Sequence, residues 1–346
     1  MAARKPKSRK KKGLGVAGLF IAALLAALAG AAGAAWLILM PFGPAKATLV
    51  NIAPGSSAER IGRELEEAEV VRSRFAFDAV RLWKRGTLKA GFYRFEGPAT
   101  PPEVYGKIER GEVYTIAVTI PEGANVFGIA TRLAQAGLGS RQQFLETAVE
   151  QVGLVANLDP EAKSLEGYLF PDTYRFSPDA TDEQMAAAMV HRFREVAGEL
   201  GLNGNVHRVV TIASLVERET AVNAERPLVA SVFENRLAKK MPLMSDPSVI
   251  YGLELAGRWT GAIHESDLSF DTAYNTYLHA GLPPGPVANP GIPSLKAAMD
   301  PAETKYLYFV AAGMDPQGKS LFAATLREQN KNVAGYRKAE KRAVKR

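Results

Sequence analysis

Two glutamates, Glu217 and Glu219, close the run VVTIASLVERETA (209–221), and they are the side chains best suited by type and setting to move a proton. On a helical wheel Val209, Val210, Ile212, Ala213, Leu215 and Val216 form a broad apolar arc, with Thr211, Ser214 and Arg218 on the other side. Both glutamates fall inside the arc near its edges, about 160° apart. An ionised carboxylate in apolar surroundings is unfavourable unless paired, and a raised pKa is the usual relief. A carboxylic acid that stays protonated near neutral pH is what general-acid catalysis requires. Pairing with Arg226 or Arg236 is the structural alternative for either residue, and the wheel does not choose between them. Two carboxylates so far apart on one helix cannot flank one glycosidic bond, so a two-carboxylate hydrolase needs its second acid elsewhere. Asp246 and Asp172 are the candidates.

Two further patches carry functional side chains. One is LEGYLFPDTY (165–174), with Glu166, Tyr168, Phe170, Asp172 and Tyr174. The other collects SDPSVIYG (245–252), YNTY (274–277) and GLPPG (281–285). Flat aromatics such as Tyr168, Tyr251, Tyr274 and Tyr277 can pack on the apolar faces of sugar rings, and they can equally be core. Asn275, Thr276 and the carboxylates can bond hydroxyl and acetamido groups.

Several chemistries are excluded. There is no cysteine, so disulfides, thiolate metal sites and a cysteine nucleophile are absent. His191, His207, His264 and His279 show no metal-ligand spacing, and no metal or other cofactor is expected. No serine stands in a nucleophile elbow. GLGVAG (13–18) spells a dinucleotide fingerprint, but it follows a lysine cluster rather than a strand, so that reading fails.

The net charge of +7 is a feature of one end. The first twelve residues carry seven Lys/Arg and no acid, which accounts for the whole excess of 43 basic over 36 acidic residues. A second basic run, from Arg337 to Arg346, closes the chain. Tails of this kind contact membranes or polyanions non-specifically, and nucleic acid is not expected as a partner. From Gly13 to Ala45 there is no charge, and 14–40 exceeds the ~20 apolar residues a helix needs to cross a bilayer. Trp36 suits an interfacial anchor, and the basic tail before the span puts the N-terminus in the cytoplasm. A cleavable signal peptide is the alternative, but its apolar core is usually only about 7–15 residues.

Past the span, Val50-x-Ile52-x-x-Gly55 with Ile61 and Leu65 matches Val118-x-Ile120-x-x-Gly123 with Ile129 and Leu133 at an offset of 68. Each copy reads as a short strand, a glycine turn and a helix. Ser56 followed by Glu59 is a capping-box pattern. Phe75–Trp83 reads as helix, Gly91–Phe95 as strand, and Pro101 opens a helix ending near Gly111. The spacing predicts an α+β chain with a basic cytoplasmic tail (1–13), a transmembrane helix (14–40), a small α+β module (46–117), a larger domain (118–335) and a basic tail (336–346). The larger domain is mainly helical from Gly139 to about Ala238 and loop-rich from Met241 to Pro301, where binding surfaces tend to sit.

The runs LEGYLFPDTY, ASLVERETAVNAER, VASVFENRL, SDPSVIYG, TAYNTY, GLPPGPVANPG and KYLYFVA, in that order, resemble the YceG-like family of endolytic murein transglycosylases over about residues 46–335. The resemblance implies that the second glutamate of Glu217-Arg-Glu219-Thr is catalytic. The Glu-Thr pair is also similar to the Glu-Ser of lysozyme-like lytic transglycosylases. It implies a LysM-like membrane-proximal module and a catalytic domain in the periplasm, held by a single span in the inner membrane. The implied reaction cleaves the MurNAc–GlcNAc bond of nascent glycan strands, leaves a 1,6-anhydro end and so terminates glycan elongation. Glu166, Tyr168, Asp172, Ser245, Asp246, Tyr251, Tyr274, Asn275 and Tyr277 are the expected substrate contacts. Glycan strands are the expected partner, together with peptidoglycan synthases. A muramidase using Glu219 with Asp246, and a non-enzymatic glycan-binding protein tethered to the membrane, are the competing readings.

Overall fold

The protein is described from a computed structural model that covers residues 16–313 and 318–343. The basic N-terminal tail and the last three residues lie outside the described residues. The chain divides into two compact units, Met1–Thr115 and Ile116–Arg346.

The first unit begins with helix α1 (Val16–Leu39), which buries none of its residues and is long and apolar enough to cross a membrane. Then follow β1 (Thr48–Ile52), α2 (Ala58–Glu67), α3 (Arg74–Lys84), β2 (Gly91–Phe95) and α4 (Pro101–Arg110). The strands pair antiparallel with Val50 opposite Tyr93. Alternation sends Val50, Ile52, Tyr93 and Phe95 inward, where they meet Ile61 and Leu65 of α2, Phe77 of α3 and Ile108 of α4. The residue that caps α2 is Ser57, whose Oγ accepts the Arg60 amide, and not Ser56 as the spacing predicts. Both serines precede the helix, and only the extended backbone at Ser57 brings its hydroxyl over the first turn. Gly111, at φ 73°, ends α4 in the left-handed conformation a glycine adopts without strain.

The second unit contains β3 (Ile116–Thr119), α5 (Val126–Gln135), α6 (Arg141–Glu150), β4 (Thr173–Phe176), α7 (Asp182–Leu200), α8 (Val206–Glu219), α9 (Arg226–Ala238), α10 (Asp246–Leu255), α11 (Ile292–Met299), β5 (Tyr308–Ala311), β6 (Ser320–Ala323) and α12 (Leu326–Ala343). Helices dominate, and the described strands pair antiparallel, β3 with β4 and β5 with β6. The strand of the second repeat copy thus pairs with β4 of its own unit, with Val118 opposite Tyr174.

Helix α8 is the central element and packs on α9, α10 and α11. It is buried on more sides than the wheel implies. Thr211 and Ser214, expected opposite the apolar arc, are sealed inside, and Arg218 alone of that trio stays exposed. Burial is tolerated at Ser214 because its Oγ donates to the Thr211 carbonyl at 2.7 Å and accepts the Val287 amide at 3.0 Å. The region read as loop-rich also holds α10 and α11. Pro247 and Pro293 stand in their first turns, where a missing amide hydrogen is harmless.

Candidate active site

Glu219 is the last residue of α8, and the chain leaves it in an extended conformation at Thr220. Its carboxylate is half-buried and accepts a hydrogen bond from Ser245 Oγ at 2.6 Å. Burial, with a smaller contribution from the Asp246 charge, lifts its pKa to about 7. The Ser245 hydroxyl and the charges of Arg218 and Arg236 pull the other way without cancelling the effect.

Ser245 is held from several sides. It stands at the start of α10, its amide donates to Thr276 Oγ1 at 2.9 Å, and its carbonyl accepts Ser248 Oγ at 2.7 Å. Ser248 Oγ and Thr276 Oγ1 lie 2.8 Å apart, so three buried hydroxyl residues knot α10 to the 274–277 segment. Met244, at φ 53°, turns the chain just before Ser245 and donates its amide to the Thr276 carbonyl at 3.1 Å. Arg236 of α9 fastens the same loop, donating to the Leu243 carbonyl at 2.8 Å and the Pro242 carbonyl at 3.2 Å. Asp246, in the first turn of α10, accepts the Tyr277 hydroxyl at 2.6 Å. Glu219, Ser245, Asp246 and Tyr277 are thereby brought together.

Glu217 is engaged elsewhere. It pairs with Arg226 at 2.7 Å, with both side chains only 5% exposed, and accepts the Gly291 amide at 3.0 Å. Arg226 also donates to Asn223 Oδ1 at 3.0 Å and to Ser294 Oγ. The cluster joins α8, α9 and α11.

Glu166, Tyr251 and Tyr274 form another group. Glu166 is 2% exposed and accepts the Val126 amide at 2.9 Å and Asn289 Nδ2 at 2.8 Å. Burial lifts its pKa to about 8. The Tyr251 and Tyr274 rings meet edge to face at 4.9 Å. Asn289 is a hub of this group. Its Oδ1 accepts the Leu169 amide at 2.8 Å, its Nδ2 also donates to the Ala124 carbonyl at 2.9 Å, and its carbonyl accepts the Gly123 amide at 2.9 Å. Gly167 is required beside Glu166: at φ +90°, a Cβ there would stand 2.5 Å from Pro286 and 2.8 Å from Val210.

The other expected contacts lie apart. Tyr168 is 0% exposed, stacks edge to face on Phe193 at 5.1 Å and donates to the buried Asp159 carboxylate, so it is core and not cleft. Asn275 is sealed too, its Nδ2 donating to the carbonyls of Leu268 at 3.0 Å and Phe270 at 2.8 Å. Glu166, Tyr168 and Asn275 are therefore enclosed by the protein's own groups in this structure. Asp172 is exposed but pairs with Arg192 at 3.1 Å at the edge of β4. Ser248 and Asn289 shape these groups without having been singled out, while Thr276 and Arg236, named as a sugar-bonding candidate and a possible ion-pair partner, instead hold the Ser245 loop. Asn289 lies within GLPPGPVANPG, whose density of turn formers was its only signal.

A mixed unit whose central helix ends on a half-buried, elevated-pKa glutamate defines a candidate proton-transfer enzyme. The model of the YceG-like family matches residues 50–335, and the chain belongs to that family. The endolytic murein transglycosylase of Bacillus subtilis strain 168 is 36% identical over 308 residues, covering 83% of this chain and 84% of that protein. The endolytic murein transglycosylase of Streptococcus pneumoniae serotype 2 is 31% identical over 84% of this chain, which spans 58% of that longer protein. A crystal structure of a YceG-like protein from Listeria monocytogenes aligns with a TM-score of 0.54 at 33% identity, covering 83% of this chain and 99% of that one.

Proposed function

We infer that the chain is an endolytic lytic transglycosylase acting on peptidoglycan, with Glu219 as its acid and base. The observation that carries the catalytic assignment is the half-buried Glu219 carboxyl, bonded by Ser245 Oγ and, among the described residues, without an arginine or lysine at ion-pair distance, so that burial lifts its pKa to about 7. Protonated, Glu219 gives its proton to the oxygen linking N-acetylmuramic acid to N-acetylglucosamine as the C1–O bond breaks. The resulting carboxylate takes the proton of the muramyl C6 hydroxyl while O6 bonds to C1, closing the 1,6-anhydro ring. One group serves both steps. Asp246, its carboxylate bonded by Tyr277, supplies negative charge for the oxocarbenium-like state.

The apolar α1 supports single-pass anchoring, with the enzymatic unit outside the cytoplasm and beside the synthases that release new glycan. The β–α–α–β order of the first unit supports a LysM-like, glycan-contacting role. Mass spectrometry of digested sacculi tests the reaction: wild-type protein should leave anhydro-muramyl ends, and Glu219→Gln should leave sacculi intact. Reducing ends in place of anhydro ends would make the enzyme a muramidase using Asp246.

A pH profile tests the acid independently. Donation needs the protonated form, so kcat/KM should fall as pH rises through about 7, the raised Glu219 value. The Ser245 hydroxyl stabilises the carboxylate, so Ser245→Ala should move that falling limb to higher pH. A limb that stays in place would mean another group sets it.

A further inference from the structure

Helix α3 is apolar on two sides. Phe77 and Val80 face the core of the first unit, while Phe75, Leu82 and Trp83 point outward at 69%, 65% and 78% exposure. At about 100° per residue these three fall within one arc of the helix. The segment 72–85 carries Arg72, Arg74, Arg81, Lys84 and Arg85 against Asp78 as its one acid. A helix face of Trp, Phe and Leu bordered by Lys and Arg is the composition of a helix lying in a membrane interface.

The geometry fixes the level at which α3 starts. The Arg72 guanidinium lies 4.4 Å from the Trp36 ring of α1 and 4.7 Å from the Phe42 ring. Trp36 stands at the end of the apolar span, where aromatic anchors meet the headgroups. Ile38 packs on the core of the first unit, and Phe42 bridges to Ala99. From Leu39 to Phe42 the chain is three residues, about 10 Å even when fully extended. A span through the bilayer therefore holds the first turn of α3 at the surface, and α1 packs directly against α3.

We propose that the Phe75–Leu82–Trp83 face of α3 lies in the interfacial layer of the bilayer that α1 crosses, with the flanking arginines and Lys84 reaching lipid phosphates. Long basic side chains keep their charge at the headgroups while their stems cover apolar surface. The proposal rests on the membrane span and not on the catalytic reading, so failure of either leaves the other standing.

The test uses the full chain reconstituted in phosphatidylcholine–phosphatidylglycerol vesicles whose acyl chains are brominated. Trp36, Trp83 and Trp259 are the three tryptophans, so wild type minus Trp83→Phe isolates the Trp83 emission. Brominated lipid should reduce that emission by about twofold or more, and iodide on both sides of the vesicle should reach it poorly. Because the chain has no cysteine, Leu82→Cys also offers a single site for a polarity-sensitive label, whose emission should shift to the blue in vesicles. Trp83 emission open to iodide and untouched by brominated lipid would overturn the proposal. So would protection that arises only when glycan strands are added.

Discussion

Glu219→Gln should lower turnover on glycan strands by ~10²–10⁴-fold, the usual worth of general acid–base catalysis. The amide preserves size and can still accept the Ser245 hydroxyl, but it has no proton to give. The fold should survive. The carboxyl titrates above its ordinary range because burial disfavours its charge. Above the unfolded pKa, ionisation therefore favours the unfolded chain, and this destabilisation grows until pH passes the folded value near 7. The neutral glutamine removes it, so at pH 8 the variant should melt no lower than wild type. Turnover is read by release of anhydro-muropeptides and folding by circular dichroism on the same samples. A folded variant with wild-type turnover would remove Glu219 from the mechanism.

Glu217→Ala should have the opposite signature, a large loss of stability without loss of chemistry in the molecules that remain folded. It strands the Arg226 guanidinium, which cannot shed its proton in the interior. Breaking a buried pair from one side typically costs ~3–5 kcal/mol, which is roughly 10 °C in melting temperature for a unit of this size. The Gly291 amide also loses its acceptor, so the junction of α8, α9 and α11 opens as a whole. Arg226→Ala should be milder in acid, because the carboxylate it leaves behind can neutralise by taking a proton. Thermal melts of both variants across pH measure this. A Glu217→Ala protein that melts within a degree or two of wild type would show that the pair does not hold the junction.

The opposed fates of these two neighbours show where reading the chain stops. Period and polarity placed both at the edges of one apolar arc, which was correct and undecided. What separates them comes from residues distant along the chain: Arg226 lies nine positions on from Glu217, and Ser245 lies 26 on from Glu219. No helical period contains that information, and the resemblance to a family supplied the choice. Local signals served better in the first unit, where β2 runs over the expected Gly91–Phe95 and α3 extends the expected helix by one residue at each end. They failed where composition is ambiguous. Tyr168 sits in an aromatic-rich run that suits a cleft or a core equally, and it is core. Helices α10 and α11 were hidden by the surrounding glycines and prolines, although Pro247 and Pro293 marked their first turns.

The Asn289 hub also constrains the order in which the second unit can assemble. Its side chain satisfies groups at Leu169, Glu166 and Ala124, partners 120 to 165 residues earlier in the chain. Contacts of such separation form late, since a long loop must close before they stabilise anything. Glu166, buried behind α5, lacks one of its hydrogen-bond donors until residue 289 arrives. A nascent chain that has emerged only as far as α9 thus leaves the Glu166 carboxyl short of a donor, so the junction of residues 124, 166 and 169 should close only once residue 289 has joined it.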